Sequence, residues 1–252
     1  MLSIDLNCDM GESFGQYRLG RDEELLDYVS SANIACGFHA GDPATMRRTV
    51  QLCLRKGVQI GAHPGLPDLQ GFGRRELAIT PAEAYELTLY QLGALQAFVR
   101  AEGGSLQHVK PHGALYHMAA QRHDLAAAIA AATASVGAEL TLLGPPGSEL
   151  LRAGAAAGLR TAGEAFADRT YRADGSLTPR DQPRALLTSA AEAAAQVERL
   201  VRQGSVLSVD GAEVPLAAET VCVHGDGAHA VEFARDIRAA LAQCGIAVRA
   251  LG

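Results

Sequence analysis

The ionisable residues of this 252-residue chain gather in short clusters, and each cluster follows an apolar run. Asn7-Cys8-Asp9-Met10-Gly11-Glu12 offers two carboxylates around a glycine that lets the backbone turn sharply. Paired carboxylates can hold a metal, or divide acid and base work when their environments separate their pKa values; they can equally cap a turn. Cys36-Gly37-Phe38-His39-Ala40-Gly41-Asp42 and Ala62-His63-Pro64-Gly65 each bring a histidine. His39 and His63 with Asp9 or Asp42 make a His/His/carboxylate set of the kind that binds divalent metals in hydrolases. Asp9, His39 and His63 are the metal candidates, although no HExxH spacing accompanies them and a lone histidine is more often a hydrogen-bonded structural group.

Lys110 and His112 flank Pro111, so an extended backbone places both side chains on one side. The lysine can anchor a carboxylate or stabilise an oxyanion while the imidazole moves a proton, or it can simply pair with Glu164. Glu164-Ala165-Phe166-Ala167-Asp168-Arg169 adds a guanidinium fork suited to a carboxylate or phosphate, with Asp168 able to hold that fork in place. His224-Gly225-Asp226 sets an acid beside an imidazole, and Arg74-Arg75 follows Gly71 and Gly73, whose freedom is consistent with a mobile lid. Gly144-Pro145-Pro146-Gly147 is a weaker anion signal. The candidate catalytic groups are therefore Asp9, Glu12, His39, His63, Lys110 and His112. The candidate substrate ligands are Asn7, Asp42, Arg74, Glu164, Asp168, Arg169, His224 and Asp226. Cys8, Cys36 and Cys222 at the strand ends are expected to be buried packing groups rather than nucleophiles.

Such clusters meet only if the elements before them run parallel. Strands are expected at Leu2 to Asn7, Ala32 to Cys36, Val58 to Ala62, His108 to Lys110, Glu139 to Leu143, Arg160 to Glu164 and Thr220 to His224. Their short, nearly apolar character suits strands covered on both faces. Asp42-Pro43 and Thr80-Pro81-Ala82-Glu83 are helix starts, the second with a capping-box glutamate, and Gly57 and Gly103 are the matching stops. Alanine-rich stretches around 124–135, 185–203 and 228–243 continue the alternation. Residues 65–79 form a long loop after the third strand, and 205–218 read as a β-hairpin around Asp210-Gly211. The pattern predicts an α/β fold, a β/α (TIM-like) barrel in one domain over residues 1–252, with its chemistry where the strands end.

Composition narrows the function classes. A formal charge of −6 with no basic block argues against nucleic acid as partner and favours a small molecule. No apolar run approaches the ~20 residues of a membrane span, and the start carries no secretory leader, so a cytoplasmic location is expected. Five cysteines without a CxxC pair fit reduced thiols. Neither a GxxxxGK[ST] nor a GxGxxG loop is present.

The segments Asp5 to Glu12, Ala32 to Asp42, Gly61 to Pro64, Asp68 to Arg75, Val109 to Tyr116, Glu164 to Arg169 and Cys222 to Asp226 resemble the LamB/YcsF family, from about Ser3 to Ala247. His117 and Leu66 depart from the family pattern, where asparagine and an aromatic residue are usual. The resemblance implies an irregular seven-stranded barrel similar to glycoside hydrolase and deacetylase barrels. It implies one component of an ATP-dependent 5-oxoprolinase, an enzyme that opens 5-oxo-L-proline to L-glutamate, working together with B and C partner subunits. ATP is then a co-substrate with its site on the partners, and a divalent metal and a homo-oligomer stay open. A metal-dependent amide hydrolase or polysaccharide-deacetylase-like enzyme without ATP, and a non-catalytic ligand-binding subunit, are the alternatives.

Overall fold

A computed structural model describes residues 2–179, 181–223 and 230–252. The expected strand at Thr220 ends at Cys222, and His224 and Asp226 lie outside the described residues.

The chain alternates strands and helices almost throughout. β1 (Leu2–Met10) and a single helical turn, α1 (Asp22–Leu25), lead to β2 (Ser31–Ala35), α2 (Pro43–Lys56), β3 (Gln59–His63) and α3 (Pro81–Ala101). There follow β4 (Leu106–Val109), α4 (Gly113–Gln121), α5 (His123–Val136), β5 (Thr141–Gly144), α6 (Glu149–Ala156) and β6 (Arg160–Phe166). The last part holds α7 (Ala190–Gln203), β7 (Ser205–Leu207), β8 (Glu213–Pro215), β9 (Thr220–Cys222), α8 (Ala230–Gln243) and β10 (Ile246–Val248).

β1 to β6 pair in order, and β9 joins β6 to β1, so seven parallel strands close a barrel. Asn7 stands opposite Ser31 on one side and Cys222 on the other. β10 adds to the leading end of β1, with Leu2 opposite Ile246. β7 and β8 form the expected antiparallel hairpin, whose turn holds Gly211 at φ +81°.

The alternation of β1 shows how the barrel is filled. Leu6, Cys8 and Met10 are fully buried in the hydrophobic core. Asp5, Asn7 and Asp9 take the opposite face, because successive side chains of a strand point to opposite sides. Outside, helix starts follow the sequence signals. Asp42 accepts a hydrogen bond from the Thr45 backbone N–H with Pro43 at the first helical position, and Gly57 ends α2 in the left-handed conformation at φ +68°. Thr80 and Glu83 form a complete capping box on α3. Three helices and a strand, α1, α4, α6 and β10, go beyond the sequence expectation. α4 is short, has Gly113 as its first residue and gains no side-chain cap from His112.

Candidate active site at the carboxyl ends of the strands

Asp9, Glu12, His63, Arg74, Lys110, His112, Tyr116, Phe166 and Arg169 are among the residues lining a cavity of about 300 Å³ where the strands end. That size suits a small ligand.

Lys110 is its electrostatic centre. Its Nζ lies 2.9 Å from Asp9 Oδ1 and 2.9 Å from Glu164 Oε1, and it also approaches Cys222 Sγ at 3.2 Å and the Phe166 ring centroid at 5.5 Å. The side chain is only 4% exposed. Burial opposes its charge, but the carboxylates of Asp9 and Glu164 outweigh that and hold the ammonium well above the ordinary lysine value. Burial likewise opposes ionisation of Asp9, yet His63 and Lys110 keep its carboxyl well below the usual range.

Behind this pair runs a ladder of buried polar side chains. Asn7 Nδ2 donates to Glu164 Oε1 at 3.0 Å and to Thr220 Oγ1 at 2.7 Å. Asn33 Nδ2 donates to Asn7 Oδ1 at 2.7 Å and to Asp9 Oδ1 at 2.8 Å, while Asn33 Oδ1 accepts from His108 Nε2 at 2.7 Å. The Tyr116 hydroxyl donates to Glu164 Oε2 at 2.8 Å. Every rung is satisfied, as a buried polar network must be if it is to stabilise rather than cost.

The three histidines form the second half of the site. His63 Nδ1 lies 2.7 Å from the Lys110 carbonyl oxygen, and His112 Nε2 lies 2.7 Å from the Phe72 carbonyl oxygen. A carbonyl only accepts, so both of these ring nitrogens carry hydrogen. The remaining nitrogens, His63 Nε2 and His112 Nδ1, face one another at 2.9 Å. Asp9 Oδ2 is 3.2 Å from His63 Nε2. His39 stacks on His112 with ring centroids 3.7 Å apart, and its Nε2 is 3.4 Å from Glu12 Oε1. Burial, followed by the neighbouring imidazoles, pushes His39 well below its ordinary value; burial and then His63 push His112 down to about 3.

All six candidate catalytic residues meet here, and four side chains converge as possible metal donors. Glu12, His39, His63 and His112 each offer one ligand atom, all within 4.8 Å of one another. Asp9 is not in that group; its Oδ1 is engaged by Lys110 and Asn33, and its Oδ2 lies beside His63 Nε2.

Several candidate substrate ligands turn out to hold the scaffold. Asp42 caps α2 and accepts from the Gly15 N–H at 2.8 Å. Asn7 and Glu164 are spent on the buried ladder and on Lys110. Arg169 lines the cavity, but its guanidinium donates to the carbonyls of Ala185 and Thr178, at 3.3 and 2.6 Å. Asp168 accepts at its backbone oxygen from Leu187 N–H at 2.8 Å and does not line the cavity.

The 65–79 loop differs from a mobile lid. His112 Nε2 donates to Phe72 O, Gly73 N–H to Asp68 O at 2.9 Å, and Ala114 N–H to Gly73 O at 2.9 Å. Gly73 is a packing requirement as well as a turn, because a Cβ there would stand 2.7 Å from His39 Cβ. Arg75 is paired with Asp68, whereas Arg74 lies over the Phe72 ring at 5.0 Å and faces the cavity. The strand-end thiols are buried and burial raises their pKa values, Cys36 to about 12, so they are packing groups as expected.

Sequence reasoning missed Asn33, His108, Tyr116 and Phe72. The first two stand in strands, and the alternation of Asp5, Asn7 and Asp9 was the available sign that the barrel interior is polar.

The LamB/YcsF family model matches residues 4–252. A Brevibacillus brevis protein named as the A component of 5-oxoprolinase is 60% identical over 250 residues, covering 99% of this chain and 98% of its own. A Bacillus subtilis protein of the same name is 59% identical over 251 residues, covering 100% of this chain and 98% of its own. The crystal structure of a lactam utilization protein from Thermus thermophilus superposes with a TM-score of 0.95 at 47% identity, covering 99% of this chain and 100% of that one.

Proposed function

The chain belongs to the LamB/YcsF family, and from that premise we propose that it is the A component of an ATP-dependent 5-oxoprolinase, cleaving the ring amide of 5-oxo-L-proline to give L-glutamate. The observation that carries this reading is identity near 60% along the whole chain to proteins named for that component. The site supports it, with a small cavity that combines an ionised carboxylate, a buried ammonium, clustered imidazoles and a rim arginine.

The chemistry explains the need for ATP. A five-membered lactam is a resonance-stabilised amide with a poor leaving group. Transfer of the γ-phosphoryl group to the lactam oxygen releases ADP and leaves an imidate-like carbon that water can attack. Collapse of the adduct breaks the C–N bond with the nitrogen leaving as the amine, and a second water releases phosphate to give glutamate. Arg74, exposed at the rim, takes the substrate carboxylate. Asp9, held ionised and 17% exposed, accepts the proton of the attacking water. Lys110 keeps Asp9 ionised and places positive charge beside developing oxygen charge. The chain has neither of the common phosphate-binding loops, so we assign the ATP site to the B and C partner subunits.

The test is an assay of glutamate and ADP from 5-oxoproline and ATP, with the purified chain alone and with its B and C partners. Equimolar glutamate and ADP from the assembled complex only is the expected result. A second reading, amide hydrolysis by a metal without ATP, is favoured by the Glu12, His39, His63 and His112 donor group. Turnover by the chain alone, independent of ATP and abolished by chelation, would establish that reading instead.

A further inference from the structure

We infer that Glu12, His39, His63 and His112 form a binding site for one divalent first-row transition ion of the zinc type. The inference rests on the geometry of these four side chains and stands whether or not the lactam is the substrate.

The decisive feature is the direction of the lone pairs. Because His63 Nδ1 and His112 Nε2 are committed as donors to the Lys110 and Phe72 carbonyls, His63 Nε2 and His112 Nδ1, 2.9 Å apart and with Asp9 Oδ2 3.2 Å from the first, are the two nitrogens left to share a proton or a metal ion. Two lone pairs at that distance repel unless a cation stands with them, a proton or a metal ion. Fixing a histidine tautomer through its far nitrogen is how proteins orient imidazole ligands.

His39 is the second observation. It is fully buried, and neither of its ring nitrogens makes a hydrogen bond among the described residues. A buried imidazole left so is destabilising unless something else satisfies it. Its Nδ1 packs against Gly65, where a Cβ would stand 2.5 Å away. Its Nε2 turns to Glu12 Oε1, 3.4 Å away, on the side where the His63 and His112 nitrogens also converge.

The size and chemistry of the gap agree. Ligand atoms sit about 2.0–2.2 Å from such ions, so two ligands of one tetrahedral ion lie roughly 3.3–3.6 Å apart. His39 Nε2 and Glu12 Oε1 already have that spacing at 3.4 Å, while the 2.9 Å histidine pair must open and the widest separation, 4.8 Å, must close by side-chain rotation. Three imidazole nitrogens and one carboxylate oxygen suit zinc-type ions rather than magnesium or calcium, which prefer oxygen. Such an ion, when bound, contributes Lewis acidity to the cavity.

The experiment is metal binding by the full chain. The protein is stripped with chelator, titrated with Zn²⁺ or Co²⁺, dialysed and analysed by elemental mass spectrometry and visible absorption. We expect about one equivalent per chain and cobalt ligand-field bands of a nitrogen-rich site. His39→Gln and Glu12→Gln should each weaken binding about tenfold or more, with unchanged circular dichroism, while His123→Gln, at an exposed histidine paired with Glu149, should not. Wild-type protein that retains no stoichiometric metal overturns the inference, and so do folded His39→Gln and Glu12→Gln variants that bind like wild type. If both variants fail to fold, the wild-type stoichiometry and cobalt spectrum decide alone.

Discussion

Replacing Lys110 with methionine removes the ammonium and keeps most of the side-chain volume, so it isolates the charge. Two carboxylates lose a partner at 2.9 Å, and one of them, Glu164, has a side chain with no solvent exposure. At an effective dielectric near 20, each contact corresponds to about 6 kcal/mol of Coulomb attraction before desolvation is subtracted. Removing one member of a buried pair typically costs about 3–5 kcal/mol. The remaining donors soften the loss, because Glu164 keeps Asn7 and Tyr116 and Asp9 keeps Asn33. We therefore expect Lys110→Met to lose about 3 kcal/mol at pH 7, measured by urea unfolding followed by circular dichroism. The deficit should shrink as the pH falls toward about 4, because Asp9 without its lysine can protonate in the variant while in the wild type it resists. A loss below about 1 kcal/mol, or one independent of pH, would refute this account of the lysine.

His108 carries a pH prediction of its own. Burial pushes it down to about 3 in the folded chain, against about 6.5 unfolded. Its folded value is depressed, so its contribution is complete above 6.5 and is lost as the pH falls toward 3, at up to ~1.4 kcal/mol per pH unit. Stability should therefore drop by about 2–3 kcal/mol from this residue between about pH 6.5 and 4.5, and a His108→Gln variant with the same slope would contradict that. Asp42→Ala, which removes a helix cap, should cost about 1 kcal/mol in unfolding experiments and leave turnover of the complex within about twofold. Arg74→Ala should raise KM for 5-oxoproline at least about tenfold with kcat little changed, the signature of lost ground-state binding; Arg169→Ala should instead lower the melting temperature, because its guanidinium ties the loop to the Ala185 and Thr178 carbonyls.

The barrel was legible because its punctuation is local. Asp42-Pro43, Gly57 and Thr80-Pro81-Ala82-Glu83 mark helix ends by hydrogen bonds within a few residues, and the structure uses them as read. The meeting of Asp9, Glu12, His39, His63, Lys110 and His112 followed from parallel strands ending on one face. What each side chain does there was less legible, because it depends on neighbours far away in the chain. Asp42 and Glu164 have the residue types of ligands, yet one is spent on Thr45 and Gly15 and the other on Lys110, Asn7 and Tyr116. Gly73 suggested mobility by its type, while its position against His39 makes it a spacer. That Glu12 rather than Asp9 converges with the three histidines could not be read either, since Asn33 and Lys110 hold Asp9 Oδ1. β10 lies at the far end of the chain from β1, and its three residues carry too short a pattern to show that they pair there.

The central claim is that the strand-end cluster opens the lactam ring. Asp9→Asn in the complex assembled with the B and C partners tests it most directly, with glutamate formation from 5-oxoproline and ATP as the readout and circular dichroism as the check on folding. The account predicts a fall of about 10²–10⁴-fold, the usual worth of a general base. A correctly folded, fully assembled variant that keeps more than about a tenth of the wild-type rate would contradict it.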